Sequence, residues 1–425
     1  MAMLSIERFS CISSAKFETS RCTVIIGEQA SGKSIITKLA YFMNHIVISD
    51  FLRYTEFETV SEIKNHIAEN FEKWFPPLAW GERRFTISYV NGPLSIEIRR
   101  KGLGKKSRQS ANVEFSPYFQ EIIDEFYRKV KKANEDFRLR WDDDDAQFRR
   151  FELINDITKQ TRRDLRQGLP SPLPALQLFI PAGRSFFTSL GKAIPAFERS
   201  GMLDPITIRF GEFFLSAKQR LGGSGRGYYF PQTRRNAEIK SNMEKFFGGR
   251  FVFKKDDEFI ETADGRLIPL PFLSSGQQEL LPLWFSVEQA YHFRDNFNLY
   301  IEEPEAHIFP TTQNFLIQSL VAYLIGGKSN ANVIMTTHSP YVLAKINNLI
   351  KAAIVGEQRG KATAVGELIP RDAWLHPSIV SAYAIDSGEL RSIIDDDGLI
   401  DGEYLDNVSN EISEEYMKLV EIECS

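Results

Sequence analysis

A glycine-rich segment near the amino terminus constrains the fold of this chain more than any other feature. Residues Gly27–Ser34 read GEQASGKS and fit the pattern GxxxxGK[ST] throughout. The apolar run CTVIIG precedes them, and a run with apolar residues at helical spacing follows. A strand, a glycine-rich loop and a helix in this order form a phosphate-binding loop, whose backbone N–H groups point at phosphate oxygens. We therefore expect an α/β fold around a parallel sheet.

The residues of this loop indicate how it would bind a nucleoside triphosphate. Lys33 is expected to reach the β- and γ-phosphates, and Ser34 to offer its hydroxyl group to Mg²⁺. ATP and Mg²⁺ are therefore the expected ligands. The other candidates for phosphate binding in the loop are Gly27, Gln29, Ala30, Ser31 and Gly32.

Two later apolar runs end in residues suited to phosphate chemistry. NLYIEEPEAHIFP contains Glu302 and Glu303 at a strand end, where neighbouring side chains point to opposite faces. We expect Glu302 to bind Mg²⁺ and Glu303 to polarise the attacking water as the catalytic carboxylate. NVIMTTHSPYVL ends in His338, a second catalytic candidate that would hydrogen-bond the γ-phosphate or the water. The alternatives are solvated strand ends and a structural histidine.

A second helix start is also suited to anions. The stretch FLSSGQQELLPLWF, residues 272–285, reads as a Ser-Ser-Gly turn that opens a helix. Free backbone N–H groups at a helix start attract phosphate. The candidate nucleotide ligands here are Ser274, Ser275, Gly276 and Gln277.

In this order, the four motifs resemble those of the ABC-type ATPase heads of the SMC, RecF and OLD families. The resemblance implies a P-loop NTPase with a mostly parallel core sheet, an antiparallel β lobe and an inserted helical subdomain. It also implies that residues 274–277 contact ATP held by an opposite subunit, so that the chain forms a homodimer or a higher homo-oligomer with shared ATP sites. Pro304–His307 match the D-loop, which contacts the partner subunit, and Arg184 is a candidate sensor of the nucleotide state.

Two features narrow this resemblance. No sustained heptad predicts the long coiled coils of SMC proteins, and the roughly 80 residues after His338 are too few for the nuclease domain of OLD proteins. The chain is instead similar to the ATPase subunits of two bacterial anti-phage systems, AriA of PARIS and PtuA of Septu. Its length and acidic end favour AriA. This implies a sensor and scaffold that holds a separate nuclease effector and releases it on meeting an acidic or DNA-mimicking phage protein.

The charge distribution is compatible with two kinds of partner. Net charge is −4, but residues 386–425 carry thirteen acidic and two basic residues, which leaves about +7 for the rest. A positive body would steer acidic partners, and the acidic end is either a cover for a basic surface or simply solvated. The segment 99–108, RRKGLGKKSR, has six basic residues and favours the alternative, a RecF- or SMC-like DNA-binding ATPase in repair or recombination. The pI near 6.0 does not favour DNA as a partner.

Composition also suggests where the protein works. No apolar run approaches the length of a membrane span, and the first residues lack a secretory signal, so no membrane association and a cytoplasmic location are expected. Three cysteines without metal spacing are expected to be reduced thiols, namely Cys11, Cys22 and Cys424.

Four segments follow from the patterns along the chain. Residues 1–110 are the expected N-terminal ATPase lobe with a hairpin at Asn91-Gly92, 111–245 a mainly helical insertion, 246–385 the C-terminal ATPase lobe and 386–425 an acidic tail. Two or three short helices are expected between Ser116 and Arg166, and short antiparallel strands around Asp264-Gly265.

Overall fold

A computed structural model of the chain describes residues 2–47, 51–55, 59–102, 110–137, 144–190, 203–222, 241, 244–254, 257–291, 296–326, 329–401, 417–419 and 422. Most of the glycine-rich segment 221–235, the second half of the basic segment 99–108, most of the acidic end and Cys424 lie outside the described residues.

The described residues form strands and helices in an alternating order. The strands are β1 (Met3–Phe9), β2 (Ile12–Glu18), β3 (Cys22–Gly27), β4 (Thr86–Asn91), β5 (Leu94–Lys101), β6 (Ser110–Phe115), β7 (Leu176–Ile180), β8 (Gly249–Lys254), β9 (Asp257–Thr262), β10 (Leu267–Pro269), β11 (Phe297–Glu302), β12 (Ala331–Thr337), β13 (Val380–Asp386) and β14 (Glu389–Ser392). The α-helices are α1 (Lys33–His45), α2 (Phe51–Arg53), α3 (Val60–Trp74), α4 (Pro117–Phe137), α5 (Asp144–Gln167), α6 (Ser185–Leu190), α7 (Pro205–Gly222), α8 (Ser275–Tyr291), α9 (Pro310–Leu324), α10 (Pro340–Gly356) and α11 (Ala362–Leu368).

One half of the main sheet is parallel and contains the strands that precede the predicted site. Strands β13, β3, β12, β11 and β7 lie side by side in this order, each parallel to its neighbour. Every residue of β3 and β11 is buried, as near-continuous apolar runs in a parallel sheet require. Glu302 lies opposite Thr336, and Thr336 lies opposite Ile25. The carboxyl ends of the three strands therefore meet at one edge of the sheet.

The other half of the same sheet is antiparallel, in the order β6-β5-β4-β1-β2. The predicted hairpin is confirmed, since β4 and β5 pair up to Asn91 and Leu94. Strand β14 lies between the halves, antiparallel to β13 and parallel to β2. The predicted α/β class is confirmed. The antiparallel strands belong to the same continuous sheet as the parallel strands, because β14 joins the two halves.

Two strands of the main sheet lie in segments expected to be a helical insertion and an acidic tail. Strand β7 lies within the expected helical insertion 111–245 and pairs with the core strand β11 through buried residues such as Ile180. Strand β14 lies within the expected tail 386–425, and Ile393 and Ile400 after it are buried. In both places a few apolar residues gain free energy by burial against the main sheet, β7 at its edge and the residues after β14 beside its middle.

Alternate residues of β3 face two hydrophobic cores on opposite sides of the sheet. Ile25 packs in the core that includes residues of α1, α3 and α4, while Val24 and Ile26 pack in the core that includes residues of α8, α9 and α10. The phosphate loop, which follows β3, is therefore fixed from both sides.

Beyond the main sheet, the helical segment and the small sheet follow the sequence in outline. Two long helices, α4 and α5, of 21 and 24 residues, stand where two or three short ones are predicted. Strands β8, β9 and β10 form the predicted antiparallel sheet, with its second turn at Asp264-Gly265. None of the helices among the described residues is both long and apolar enough to cross a membrane.

Candidate nucleotide-binding site

The phosphate loop leaves β3 and returns into α1 with two residues in the left-handed backbone region. Ala30 has φ 62° and Gly32 has φ 108°, which turn the loop back on itself. The hydroxyl group of Ser31 is buried and has no hydrogen-bond partner among the described residues. Ser34, in contrast, is exposed at the first turn of α1. The loop therefore presents one buried hydroxyl without a partner and one exposed hydroxyl, an arrangement compatible with phosphate and metal binding.

Lys33 is nearly buried and lies across the loop. Its Nζ donates hydrogen bonds to the carbonyl oxygens of Gly27 and Glu28, at 2.7 and 2.6 Å. Burial lowers the pKa of the Lys33 ammonium to about 8, an effect that the nearby carboxylates of Glu303 and Glu305 only partly offset. The side chain is thus a buried cation whose charge the nearby carboxylates compensate only in part, which favours an added anion.

The catalytic candidates Glu303 and His338 are in direct contact. Nε2 of His338 lies 2.9 Å from Oε1 of Glu303, and Nδ1 lies 3.3 Å from Nζ of Lys33. A tautomer with hydrogen on Nε2 satisfies both contacts, since Nδ1 then accepts from the lysine. The structure thus brings together three residues that lie far apart in the sequence.

Glu303 has an unusual backbone conformation. Its φ is 43°, in the left-handed region that residues other than glycine seldom adopt. Its N–H donates to the carbonyl oxygen of Thr336 at 3.0 Å. The turn ends β11, and the two adjacent carboxylates lie in different environments: that of Glu302 accepts from Ala182 and that of Glu303 contacts His338.

Glu302, the predicted metal ligand, is buried. Its Oε2 accepts a hydrogen bond from the N–H of Ala182 at 3.2 Å, while Oε1 is buried without a partner among the described residues. A buried carboxylate oxygen is costly to leave unpaired. A hard cation such as Mg²⁺ prefers oxygen ligands, so Glu302 and the open hydroxyl of Ser34 are chemically suited to it.

A further carboxylate, Glu305, supports the histidine, and the sequence does not reveal this role. It lies in the predicted D-loop, but its side chain is buried. Its Oε1 accepts hydrogen bonds from Oγ1 of Thr337 at 2.6 Å and from the N–H of His338 at 2.8 Å. The only available signal was a third carboxylate shortly after Glu303, which does not indicate an inward orientation.

The Ser-Ser-Gly turn does open a helix, α8. Oγ of Ser274 and the side chain of Gln277 cap the helix reciprocally: Oε1 of Gln277 accepts from the N–H and hydroxyl of Ser274, at 2.9 and 2.8 Å. Nε2 of Gln277 donates to the carbonyl oxygen of Phe247. Gln277, expected as a nucleotide ligand, is thus committed to the helix start, whereas Ser274 and Ser275 are exposed.

Arg184, the candidate sensor of the nucleotide state, lies in the interior of the protein. Its side chain is 0% exposed, and its guanidinium donates to backbone carbonyls of other segments. Burial lowers the pKa of Arg184 and the carboxylate of Glu279 raises it. The structure therefore assigns Arg184 to the interior, between α8 and the end of β11.

Comparison with known families supports an ATPase. Residues 227–343 match the AAA ATPase domain family. This segment, about a quarter of the chain, begins after the phosphate loop and includes the helix start at Ser274, the carboxylates 302 and 303, and His338. None of the curated proteins matches the chain significantly. The family match and the geometry of the strand ends together support ATP binding and ATPase activity in general.

The chain is only weakly similar to solved structures. The SMC head domain from Thermotoga maritima is 12% identical with a TM-score of 0.35, covering 92% of this chain and 97% of that one. An Smc head domain with a coiled coil and joint derived from Pyrococcus yayanosii is 11% identical with a TM-score of 0.37, covering 97% and 100%. The recombination mediator protein RecF with ATP is 9% identical with a TM-score of 0.33, covering 92% and 98%. With TM-scores this low, no functional conclusion follows from them.

Proposed function

We propose that this chain is an ATPase of the ABC head type that hydrolyses ATP to ADP and phosphate at the edge where β3, β11 and β12 end. The observation that carries the proposal is the hydrogen-bonded series from Lys33 through His338 to Glu303, with distances of 3.3 and 2.9 Å. It joins a phosphate-binding cation to a carboxylate base through one side chain. Such an arrangement suits attack of a water molecule on a bound phosphoryl group.

Each residue has a distinct part in this reaction. The backbone N–H groups of 27–34 and the ammonium of Lys33 hold the phosphates. Glu303 accepts a proton from water while the water oxygen attacks the γ-phosphorus. The bond from that phosphorus to the bridging oxygen breaks, and ADP leaves. His338 keeps the Glu303 carboxylate in place through its Nε2–H.

The chain's oxygen ligands are suited to Mg²⁺. Ser34 and Glu302 would hold it, the first through an open hydroxyl and the second through a buried, unpaired oxygen. When bound, Mg²⁺ would neutralise part of the negative charge on the phosphate oxygens.

Phosphate release by the purified full-length protein tests this proposal. Glu303→Gln should retain ATP and lower hydrolysis by about 100-fold or more, since general base catalysis contributes about that much. Lys33→Ala should lose ATP binding. The exposed Glu367 and Lys351 offer matched controls, as Glu367→Gln and Lys351→Ala, which should behave like the wild type. Wild-type hydrolysis in Glu303→Gln would exclude this residue as the base.

We further propose that ATP sites are shared between copies of the chain. Helix α8 is anchored at Glu279 to the residues that follow β7, and β7 lies three strands from β3. At about 4.8 Å per strand, this is roughly 14 Å across the sheet from the chain's own phosphate loop. The exposed start of α8 would therefore cap ATP held by a second copy. Phe272 and Phe309, 78% and 72% exposed, flank this helix start and the D-loop and suit such a contact.

The biological role proposed is that of an ATP-dependent sensor and scaffold in anti-phage defence. It would hold a separate nuclease effector and release it when an acidic or DNA-mimicking phage protein binds. Support comes from the resemblance of the motifs to AriA and PtuA and from the positive charge of the body. Copurification from the native operon, followed by mass measurement of the complex, tests it. A copurified nuclease that leaves when an acidic phage protein is added is the expected result, and a chain that copurifies alone would contradict the scaffold role.

The alternative, a DNA-binding ATPase, has less support in the basic segment than the sequence suggests. Arg99 pairs with Glu97, and Nη1 of Arg100 donates to the carbonyl oxygens of Gly81 and Arg83. Two of the three described basic residues of this segment are therefore engaged within the fold. Salt-dependent DNA binding that is lost on neutralising Lys101, Lys105 and Lys106 would favour the alternative.

A further inference from the structure

Arg184 forms a buried link between the end of β11 and other parts of the fold. Its Nη1 donates hydrogen bonds to the carbonyl oxygens of Pro181 and Glu302, at 3.1 and 2.6 Å. Its Nη2 donates to the carbonyl oxygen of Glu303 at 2.9 Å. A guanidinium fork can hold consecutive carbonyls in fixed directions because its donors are coplanar. Arg184 thus fixes the backbone of Glu302 and Glu303 through their carbonyl oxygens.

Glu279 anchors this arginine to helix α8. Nε of Arg184 donates to the backbone carbonyl oxygen of Glu279 at 3.2 Å and lies 3.6 Å from Oε2 of its carboxylate. The same carboxylate accepts from the N–H of Arg184 at 2.9 Å and of Ser185 at 3.2 Å. Glu279 is 1% exposed. A buried charge pair of this kind persists only when its hydrogen bonds are satisfied, and here nearly all of them are.

The backbone held by Arg184 includes Glu303, whose conformation is strained. Glu303 has φ 43°, and a residue with a side chain keeps such a conformation only when its surroundings impose it. The hydrogen bond from Glu303 N–H to Thr336 holds one side of the turn, and the guanidinium holds the other. Without the guanidinium, the turn could relax and carry the Glu303 carboxylate away from His338.

We propose that Arg184 is a positioning residue for Glu303 and that Glu279 makes this positioning depend on helix α8. The inference rests on the proposed ATPase function. The start of helix α8 would cap ATP bound to a second copy. A displacement of this helix would therefore move Glu279 and Arg184, and with them the backbone that carries the chain's own carboxylates, Glu302 and Glu303. Capping of one site would in this way set the hydrolytic geometry of the other.

The test compares three full-length variants. In Arg184→Lys, a single ammonium replaces the planar fork and cannot hold the carbonyls of residues 302 and 303 together with Glu279. We expect kcat to fall about 100-fold, the effect of moving a catalytic group by about 1 Å. ATP affinity and ATP-dependent assembly should stay at the wild-type level. Glu279→Gln keeps the shape but removes the charge, and should lower kcat by about 10-fold, with binding unchanged.

Lys218→Gln is the matched control, because it breaks another buried ion pair. Nζ of Lys218, on α7, lies 2.5 Å from Oε2 of Glu258, on β9. This variant should lose thermal stability and keep wild-type kcat. If Arg184→Lys and Glu279→Gln are folded and hydrolyse ATP at the wild-type rate, the inference is wrong. It is also wrong if they lose ATP binding or assembly together with kcat, since Arg184 would then have a structural role only. A wild-type protein that releases no phosphate would instead refute the proposed ATPase function itself.

Discussion

Replacement of Gly276 by alanine tests whether the start of α8 and the D-loop must touch. A Cβ atom at this position would lie 2.7 Å from the carbonyl oxygen of His307 and 3.3 Å from Cγ2 of Ile308. The first contact is with backbone, so the loop must retreat by a few tenths of an ångström. Overpacking of this kind costs about 1–3 kcal/mol. A gain of up to about 1 kcal/mol from the better helix former offsets part of this cost.

The same displacement should affect hydrolysis. His307 lies two residues after Glu305, whose carboxylate holds the N–H of His338. If a shift of about 1 Å costs about 100-fold, a shift of a few tenths of an ångström should cost about threefold to tenfold in kcat. ATP binding should persist, because the phosphate loop follows β3 and Lys33 begins α1, away from the displaced residues His307 and Ile308. The assays are thermal unfolding, binding of a fluorescent ATP analogue and phosphate release.

Gly366→Ala is the control for this experiment. Gly366 lies within α11, and the nearest atoms to its added Cβ belong to Arg371 at 3.7 Å and beyond, an ordinary contact. This variant should be as stable as the wild type or up to about 1 kcal/mol more stable, with kcat unchanged. A Gly276→Ala protein with wild-type stability and wild-type phosphate release would refute the reasoning.

Two other predictions concern the shared site and the histidine. Ser274→Arg should bind ATP but not hydrolyse it. If each site takes Lys33 from one copy and Ser274 from another, mixing this variant with Lys33→Ala protein should restore up to about a quarter of the wild-type activity. Mixtures without any activity would contradict shared sites. Glu305→Gln should lower kcat by about 10-fold with little change in ATP affinity. The reason is that a hydrogen bond to a charged group contributes about 1.5 kcal/mol, which corresponds to about a tenfold change in rate. Equal loss of affinity and kcat would mean that Glu305 stabilises the fold rather than positions His338.

Local motifs made much of the site predictable from the sequence. The phosphate loop, the paired carboxylates and His338 each follow an apolar strand, and parallel strands bring their ends to one edge. The helix start at Ser275 was predictable for the same reason, since a serine-glycine turn followed by apolar residues favours a helix. Those features depend on residues that are neighbours in the chain.

What the sequence could not reveal depends on distant contacts. Arg184 and Glu279 lie 95 residues apart, and their burial follows from how α8 packs against the end of β7. Glu305 faces inward only because Thr337 and His338, more than 30 residues later, offer donors. The place of β14 between β2 and β13 has no signature at all, since its four residues are mostly polar.

The sheet order also has a consequence for how the chain folds as it is made. Strand β3 is synthesised early, but both of its neighbours, β12 and β13, come about 300 residues later or more. The antiparallel strands β1, β2, β4, β5 and β6 can pair while the rest of the chain, from α4 onward, is still being synthesised. The strand that carries the proposed phosphate loop therefore lacks both of its neighbours until β12 and β13 have been synthesised. If the proposed function holds, a nascent or truncated polypeptide that lacks β12 and β13 would not bind nucleotide and would not enter the proposed ATP-dependent assembly.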